Sequence, residues 1–405
     1  MTEHHDATLL ILASLVSGNS HPSTVPADRW PEIINMALKH NLGPMLWSVV
    51  KQADVKTEDA SFEPLHKSAI QTACRQIFFE QSIFSLSRVF DRAQIPCVWL
   101  KGASLGLTVY AQPSQRPMGD LDVLVPFELR DTALHIAQSE GYDFFCHAGQ
   151  LNCWQDSLTE KVSHHYALKG GYGSNINLEL HYRLLGSNKN LLPLEHLQWF
   201  WNQLETIRFE DVSLSIFNPE AHLLYLIAHA ILQHGENDFL LIRFFDMHLL
   251  ISQKVIDWPL VVNQATALNW TYASERALRY VARIFNTPVP EFVFRQLRER
   301  RRPEENISRA IMKSRSGSKW ESMIGSLNGL TPEEKARRAA MVFCPPVSYM
   351  KSRYNVSSSQ SIIKSYFRRW TDQVTELGAW IQNRVKIYKC TEQRTTNEDP
   401  NQQLY

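Results

Sequence analysis

The sequence predicts an α+β protein in which a small mixed β-sheet core is flanked by helical regions on both sides. Helical periodicity dominates residues 1–92, short apolar runs separated by turns follow at 93–217, and helical patterns return from residue 218. We therefore expect an N-terminal helical region at 1–92, a sheet core at 93–217, a C-terminal helical region at 218–390 and a disordered tail at 391–405.

Three helices are expected in the N-terminal region. They cover residues 9–16, residues 28–51 and a long segment that ends before Pro96. In the long segment Phe79, Ile83, Leu86 and Phe90 recur at intervals that place them on one helix face. This face is expected to pack against a core.

Strands alternate with helices in the central region. Residues 96–100 form a short apolar strand, and Lys101-Gly102 then starts a helix-like stretch to residue 110. A strand at 120–125 is followed by a helix at about 127–140, which Gly141 closes. Residues 162–168 and 175–184 are predicted to form a β-hairpin around a glycine-rich turn.

Two start signals mark helices in the C-terminal region. Asn218 is suited to the N-cap position because its side chain can accept a backbone hydrogen bond, and Pro219 fits the first helical position. Residues 331–334 have the Thr-Pro-Glu-Glu pattern of a capping box.

Composition and charge exclude several classes of protein. With 44% hydrophobic and 20% charged residues the chain is globular rather than disordered. Lys and Arg total 42 against 41 for Asp and Glu, so nucleic-acid binding would require a local basic patch. The six cysteines are scattered without a C-x-x-C pair, which argues against a zinc ribbon or disulfide framework and favours the cytoplasm.

No targeting or membrane-spanning segment is expected. The apolar residues at 9–16 are short and follow acidic and histidine residues where a signal peptide has basic ones. The apolar segment 239–251 is interrupted by Arg243 and Asp246 and is shorter than the roughly 20 residues that a bilayer crossing needs.

The residues that point to chemistry lie on two predicted strands. On the first, Asp120 and Asp122 share one face; on the second, Glu179 shares a face with Asn177, His181 and Arg183. Buried carboxylates cost several kcal/mol unless a cation compensates them. If the strands are neighbours, three carboxylates meet in a site that suits Mg²⁺, with Asp143 and Asp156 as alternatives to Glu179.

A phosphate site is expected at the turn before the helix that follows residue 100. Backbone N–H groups at 103–105 are placed to receive a phosphate oxygen at the start of this helix. Ser104 would add a hydroxyl, and Lys101 or Arg116 a positive charge. The competing interpretations are a solvated turn for Lys101, a surface cation for Arg116 and a salt bridge to Arg183 for Glu179.

The combination of Gly102, Ser104, Asp120-x-Asp122 and a later carboxylate strand resembles the nucleotidyltransferase superfamily with the polymerase-beta-type core. It is most similar to the bacterial branch of uncharacterised nucleotidyltransferases. The residues that carry this likeness are Leu100-Lys101-Gly102, Tyr110, Arg116, Asp120-Leu121-Asp122 and Leu178-Glu179-Leu180-His181-Tyr182, with weaker support from His229, His234, Arg243 and Asp246.

The resemblance implies transfer of a nucleoside monophosphate from an NTP to an acceptor hydroxyl, with release of pyrophosphate. Asp120, Asp122 and Glu179 would be the catalytic and metal-binding residues, with Mg²⁺ or Mn²⁺ as cofactor, and Glu179 would also help to deprotonate the acceptor. Lys101, Gly102, Ser104 and Arg116 would hold the triphosphate. The alternative is a catalytically inactive protein that binds nucleotide or docks a partner on the same fold.

The remaining polar clusters favour structural roles. His164 and His165 are adjacent and point to opposite strand faces, so at most one is expected to join His181, which favours a structural histidine over a transition-metal site. Arg243 and Asp246 are expected to pair with each other, or else to brace the site from behind.

Two further groups are helical. His222 and His229 share a helix face that His234 ends, which favours packing and a C-terminal cap. The arginine-rich residues 298–302 are expected to be a solvated helix end, and RNA is a less favoured partner.

Overall fold

The structure is a computed structural model that describes residues 3–53, 55, 57, 60–144, 164–171, 176–185, 192, 194–235, 239–303, 305, 331–345, 347, 350, 354 and 359–395. The chain divides into two compact units. The first consists of Met1–Phe145 and Glu160–Arg315, and the second of Cys146–Thr159 and Ser316–Tyr405.

A mixed β-sheet lies in the first unit and confirms the predicted α+β class. The described part of the chain contributes seven strands in the order β3-β4-β5-β2-β1-β7-β6. They are β1 (Val98–Trp99), β2 (Leu121–Leu124), β3 (Tyr142–Phe144), β4 (His165–Gly170), β5 (Ile176–His181), β6 (Leu204–Phe209) and β7 (Val212–Phe217). β2 runs parallel to β5 and antiparallel to β1, so the centre of the sheet mixes both orientations.

The predicted hairpin is confirmed, and three strands are additional to the prediction. β4 and β5 pair antiparallel over their full lengths, from His165 opposite His181 to Gly170 opposite Ile176. The strands β3, β6 and β7 were not predicted from the sequence. β6 and β7 form an antiparallel hairpin whose turn contains Glu210 with φ of 50°.

Helices surround the sheet in the first unit. They are α1 (Glu3–Val16), α2 (Trp30–Lys39), α3 (Gly43–Gln52), α4 (Glu63–Arg92), α5 (Lys101–Thr108), α6 (Arg130–Ser139), α7 (Leu194–Trp201), α8 (Pro219–Ile227), a π-helix (Ala228–Gln233), α9 (Leu241–Gln253), α10 (Trp258–Ala267), α11 (Thr271–Phe285) and α12 (Glu291–Glu299). As predicted, the Asn218 side chain caps α8 by accepting a hydrogen bond from the backbone N–H of Ala221 at 3.0 Å.

The single helix predicted over 28–51 is wrong, because α2 and α3 are separate. The chain leaves α2 after Lys39, and Asn41 adopts a left-handed φ of 58°. A left-handed residue cannot continue a right-handed helix, and Pro44 in the first turn of α3 then fixes a new start.

Each face of the sheet packs against its own apolar core. Leu121 and Val123 join α4 and α6 in one core, where the predicted face of Phe79 is buried. Leu124 lies on the opposite face and packs with the helices that follow the sheet. Since strand residues alternate between faces, Asp122 shares the side of Leu124.

The second unit contains α13 (Pro332–Phe343) and α14 (Ser359–Thr395). The predicted capping box is present: the Thr331 hydroxyl accepts from the backbone N–H of Glu334 at 3.2 Å, and the Glu334 carboxylate accepts from the backbone N–H of Thr331 at 2.9 Å. The Trp370 indole donates to the Phe343 carbonyl oxygen and ties α14 to α13. Most of the predicted tail, residues 396–405, lies outside the described residues.

The structure bears on the expectations about cysteines and about membrane-spanning segments. The described cysteines Cys74, Cys97 and Cys344 are free thiols. Among the described residues, every helix is too short or too polar to cross a membrane.

Gly170→Ala is expected to destabilise the first unit by about 1–3 kcal/mol. Gly170 has φ of 148°, and a Cβ there would collide with the carbonyl oxygen of Gly141. Urea unfolding followed by circular dichroism measures the loss. Gly119→Ala is the matched control, since a Cβ at Gly119 has nothing within 4 Å. Equal stability of the two variants would contradict this account.

Candidate active site

The carboxylates of Asp122 and Glu179 lie side by side on neighbouring parallel strands. Asp122 of β2 is in register with Glu179 of β5, so the predicted meeting of the two strands is confirmed. Both side chains point to the face of the sheet that carries Leu124, and Asp122 is only 3% exposed. The site therefore holds buried negative charge that needs a compensating cation.

In this structure Lys101 supplies part of that compensation. Its ammonium lies 2.6 Å from Asp122 Oδ1 and 3.8 Å from Glu179 Oε2. Although burial acts in the opposite direction, the charge of Asp122 raises the pKa of Lys101 well above its usual range. Lys101 also has a left-handed φ of 46°, a strained conformation for a residue with a side chain.

His181 joins the pair as a third member. Its Nε2 lies 2.9 Å from Asp122 Oδ1 and 3.3 Å from Glu179 Oε2, and its Nδ1 lies 3.3 Å from the carbonyl oxygen of Arg183. Burial alone lowers the pKa of His181, but the hydrogen bonds to Asp122 and Glu179 raise it overall. One ligand atom from each of Asp122, Glu179 and His181 can be chosen so that all three lie within 4.8 Å of one another.

Glu179 is held ionised by its neighbours. Burial raises the pKa of its carboxyl, but His165, His181 and Lys101 together lower it well below its usual range. The His165 Nε2 atom lies 3.6 Å from Glu179 Oε1. The competing interpretation, a salt bridge to Arg183, is absent among the described residues, and Glu179 instead lies near Lys101, His165 and His181.

Asp120 lies at the edge of this group. It comes directly before β2, and burial together with the charge of Asp122 raises its pKa to about 7. Of the alternative third carboxylates, Asp143 is exposed on β3, which β4 and β5 separate from β2. Asp156 lies outside the described residues.

Arg116 is buried against Asp246 and is not a surface cation. Its Nη2 lies 2.7 Å from Asp246 Oδ2 and its Nε lies 3.0 Å from Oδ1, a bidentate ion pair. The Tyr110 hydroxyl donates to the same carboxylate at 2.7 Å. The predicted pairing of Arg243 with Asp246 is wrong, because Asp246 binds Arg116 and Tyr110, and Arg243 instead donates to His234 Nδ1 at 3.2 Å.

The ion pair between Arg116 and Asp246 explains why residue 102 is a glycine. A Cβ at Gly102 would collide with Arg116 Nη1 and with Met118. Asp246 holds Arg116 in place, so the guanidinium cannot easily move aside. The absence of a side chain at Gly102 therefore lets Arg116 approach the start of α5, next to Lys101, whose ammonium contacts Asp122.

The residue at which α5 begins changes which backbone N–H groups are free for the expected phosphate contacts. The helix begins at Lys101, and Leu100 provides no side-chain cap. The N–H groups without an intrahelical partner are therefore expected at 101–103, so that only Ala103 of the predicted range 103–105 is among them. Ser104 is fully buried, and its hydroxyl lies 3.2 Å from the Lys101 carbonyl and 3.5 Å from His222 Nε2. Its contact with a phosphate stays a prediction that this burial does not favour.

The expectation that at most one of His164 and His165 joins His181 is wrong. The ring centroids of His164 and His165 lie 5.2 and 5.1 Å from that of His181. Strand alternation did not apply, because β4 begins at His165 and His164 is in the bend before it.

A second group of histidines lies at the π-helix. His229 and His234 are connected at 3.3 Å between their Nε2 atoms, and both belong to the π-helix or its end. Burial and the charge of Lys101 lower the pKa of His229 well below its usual range. The π-helix, a form that often marks functional sites, was not visible in the sequence.

Sequence reasoning also missed Tyr225 on α8. Its hydroxyl is buried and has no hydrogen-bond partner within the described ranges. Burial raises the pKa of Tyr225, and the charges of Lys101, Asp122, Glu179 and Asp120 also act on it. Its interior position on a wholly buried helix gave no sequence signal that distinguishes it from a packing residue.

The arginine-rich segment at 298–302 is partly neutralised inside the first unit. Arg298 lies 3.3 Å from a Glu275 carboxylate oxygen, and Arg301 also binds Glu275. Arg302 donates to Asn269 Oδ1 at 3.3 Å. These contacts favour the structural role predicted for the segment, while the nearby Lys313 and Arg315 lie outside the described residues.

A family comparison agrees with the similarity inferred from the motifs. A family model described as "Uncharacterised nucleotidyltransferase" matches residues 26–286. The structure is similar to an antigenic nucleotidyltransferase-like protein from Paracoccidioides brasiliensis, with 16% identity, coverage of 54% of this chain and 97% of that chain, and a TM-score of 0.36. A similarity at this TM-score carries no argument about the site. No curated protein matches the chain.

Asp246→Asn is expected to lower the free energy of unfolding by about 3–5 kcal/mol, because it leaves the buried Arg116 charge without its partner. Denaturant unfolding of both proteins measures this difference. Asp211→Asn, at an exposed residue in the turn between β6 and β7, is the control and should be neutral. A loss below about 1 kcal/mol would show that the ion pair does not hold Arg116.

The stability of the metal-free protein should fall as the pH rises from the ordinary pKa of Asp120 to its higher pKa in the folded chain. The pKa of this carboxyl is about 7 in the folded chain, against an ordinary value of 3.8. Between these values the folded state keeps a proton that the unfolded state releases, so rising pH favours unfolding. Relative to Asp120→Asn, the native chain should lose stability from about pH 4 to pH 7 and level off above that.

Thermal melts in chelator-containing buffer measure this difference. Asp143→Asn, which changes an exposed carboxylate, should follow the native chain at every pH. Parallel pH profiles of the native chain and Asp120→Asn would contradict the raised pKa.

Proposed function

The chain belongs to the family of uncharacterised nucleotidyltransferases, and on that premise we propose that it transfers a nucleoside monophosphate from an NTP to an acceptor hydroxyl. In this reaction the acceptor oxygen bonds to the α-phosphorus, the bond between the α-phosphorus and the bridging oxygen breaks, and pyrophosphate leaves. The hydroxyl proton passes to a carboxylate at the site.

The register of Asp122 with Glu179 is the observation that carries this proposal. It brings two carboxylates from distant parts of the chain onto one sheet face, with Asp120 close enough for its pKa to respond to both. A structural ion pair would need one basic partner for one acid. Here Asp122 and Glu179 share the ammonium of Lys101 and the ring of His181, and the charge of Asp120 also acts on Lys101.

The donor set fits a divalent cation. Oxygen atoms of Asp122 and Glu179 come within 4.8 Å of each other and of a His181 nitrogen. The buried Tyr225 hydroxyl, without a hydrogen-bond partner in the described part of the chain, adds a polar atom that the protein itself does not satisfy. Asp120, Asp122 and Glu179 would hold Mg²⁺ or Mn²⁺, which when bound neutralises the negative charge of the triphosphate.

The chain's own residues have separate roles in this proposal. Glu179 lies beside Lys101 and His181, which hold its carboxyl ionised, and it accepts the proton of the acceptor hydroxyl. Lys101 carries a fixed positive charge at the start of α5, where the free N–H groups of the first turn also favour a phosphate. Arg116, positioned by Asp246 against Gly102, adds a second cation on the same side.

Asp122→Asn is expected to lower pyrophosphate release by roughly 10²- to 10³-fold, because it removes the carboxylate at the centre of the site. The assay incubates purified protein with each NTP and Mg²⁺ and measures pyrophosphate, with mass spectrometry of cell extract to find a nucleotidylated acceptor. Asp143→Asn, at an exposed carboxylate on β3, is the matched control and should retain activity.

Two results would contradict the proposal. Pyrophosphate release that survives Asp122→Asn or chelation of divalent cations would place the chemistry elsewhere. Binding of labelled NTP by the native chain without any turnover would favour the alternative, an inactive nucleotide-binding protein on the same fold.

A further inference from the structure

A second group of potential metal ligands lies beside the carboxylates. One ring nitrogen from each of His164, His165 and His181 can be chosen so that all three lie within 4.8 Å of one another. Between His164 Nε2 and His165 Nδ1 the distance is 3.0 Å. Two ring nitrogens on one tetrahedral zinc ion lie about 3.3 Å apart, given Zn–N bonds of about 2.0–2.1 Å, so small side-chain movements suffice.

We propose that His164, His165 and His181 form a binding site for a transition-metal ion of borderline softness, such as Zn²⁺ or Co²⁺. Imidazole nitrogens favour these ions, whereas Mg²⁺ prefers oxygen ligands. The site is therefore distinct in chemistry from the carboxylate group, with which it shares His181.

Burial supports this assignment. The three rings are at most 9% exposed and pack directly against one another, with His164 and His165 centroids 4.2 Å apart. Close packing of the three rings already brings their nitrogens together, so a metal ion would need little rearrangement of them.

The surroundings resemble the outer shell of known metal sites. The His181 Nδ1 atom lies 3.3 Å from the Arg183 carbonyl oxygen, so a metal ion would take Nε2 and replace the hydrogen that Nε2 now shares with Asp122 at 2.9 Å and Glu179 at 3.3 Å. A metal-bound histidine commonly donates its other N–H to a carbonyl in this way. The side-chain amide nitrogen of Gln233, at the end of the π-helix, lies 3.1 Å from His164 Nε2 and would turn away when a metal ion binds that nitrogen.

Cobalt titration of the full chain tests the site without reference to nucleotidyl transfer. Protein without an affinity tag is stripped with a chelator and titrated with Co²⁺ near pH 7. We expect one equivalent of Co²⁺ to produce a visible ligand-field band, which Zn²⁺ abolishes and excess Mg²⁺ leaves in place. His164→Gln and His165→Gln should each weaken Co²⁺ binding by about 10-fold or more.

His135→Gln is the matched control, because His135 is exposed on α6. X-ray absorption at the zinc edge of the unmodified protein counts imidazole ligands directly, so the test stands even if a variant fails to fold. Three imidazoles are expected. Absence of a stoichiometric Co²⁺ band, displacement of Co²⁺ by Mg²⁺, or fewer than two imidazoles on zinc would overturn the proposal.

Because the readouts are metal binding and ligand count, they are independent of the proposed function. A chain that binds Co²⁺ at the histidines but releases no pyrophosphate would retain this site and lose the proposed reaction. The reverse result would retain the reaction and remove the site.

Discussion

The structure around the site depends on the burial of negative charge on one face of the sheet. Asp122 is almost wholly removed from solvent, and Glu179 lies beside it on the neighbouring strand. Isolated carboxylates in such a place would be protonated or would destabilise the fold. Lys101 and His181 prevent this by contacting both acids.

The same need for compensation explains the neighbouring ion pair. Arg116 enters the interior because Asp246, from a helix far along the chain, binds it with two hydrogen bonds and Tyr110 completes the carboxylate's partners. Gly102 then provides the space in which the guanidinium approaches α5. Four residues that are separate in sequence, Gly102, Tyr110, Arg116 and Asp246, thus pack as one unit.

The histidines extend the site away from the carboxylates. The His181 ring contacts acids through Nε2 and faces His164 and His165, so it belongs to two potential ligand groups. His229 and His234 on the π-helix carry the polar cluster further, toward Arg243. Nitrogen donors of buried imidazoles and oxygen donors of carboxylates therefore lie within a few ångströms of each other.

The sequence by itself determined the fold class, the β4–β5 hairpin, the helix caps at Asn218 and Thr331 and the placement of Asp122 and Glu179 on strands, because each depends on local periodicity or on short-range hydrogen bonds. Only the tertiary structure decided which partners these charges have. The Arg116–Asp246 pair and the gathering of three histidines both join segments that are apart in the chain. The residue pattern within one segment does not predict such contacts, because they depend on the strand register and on the packing of distant helices.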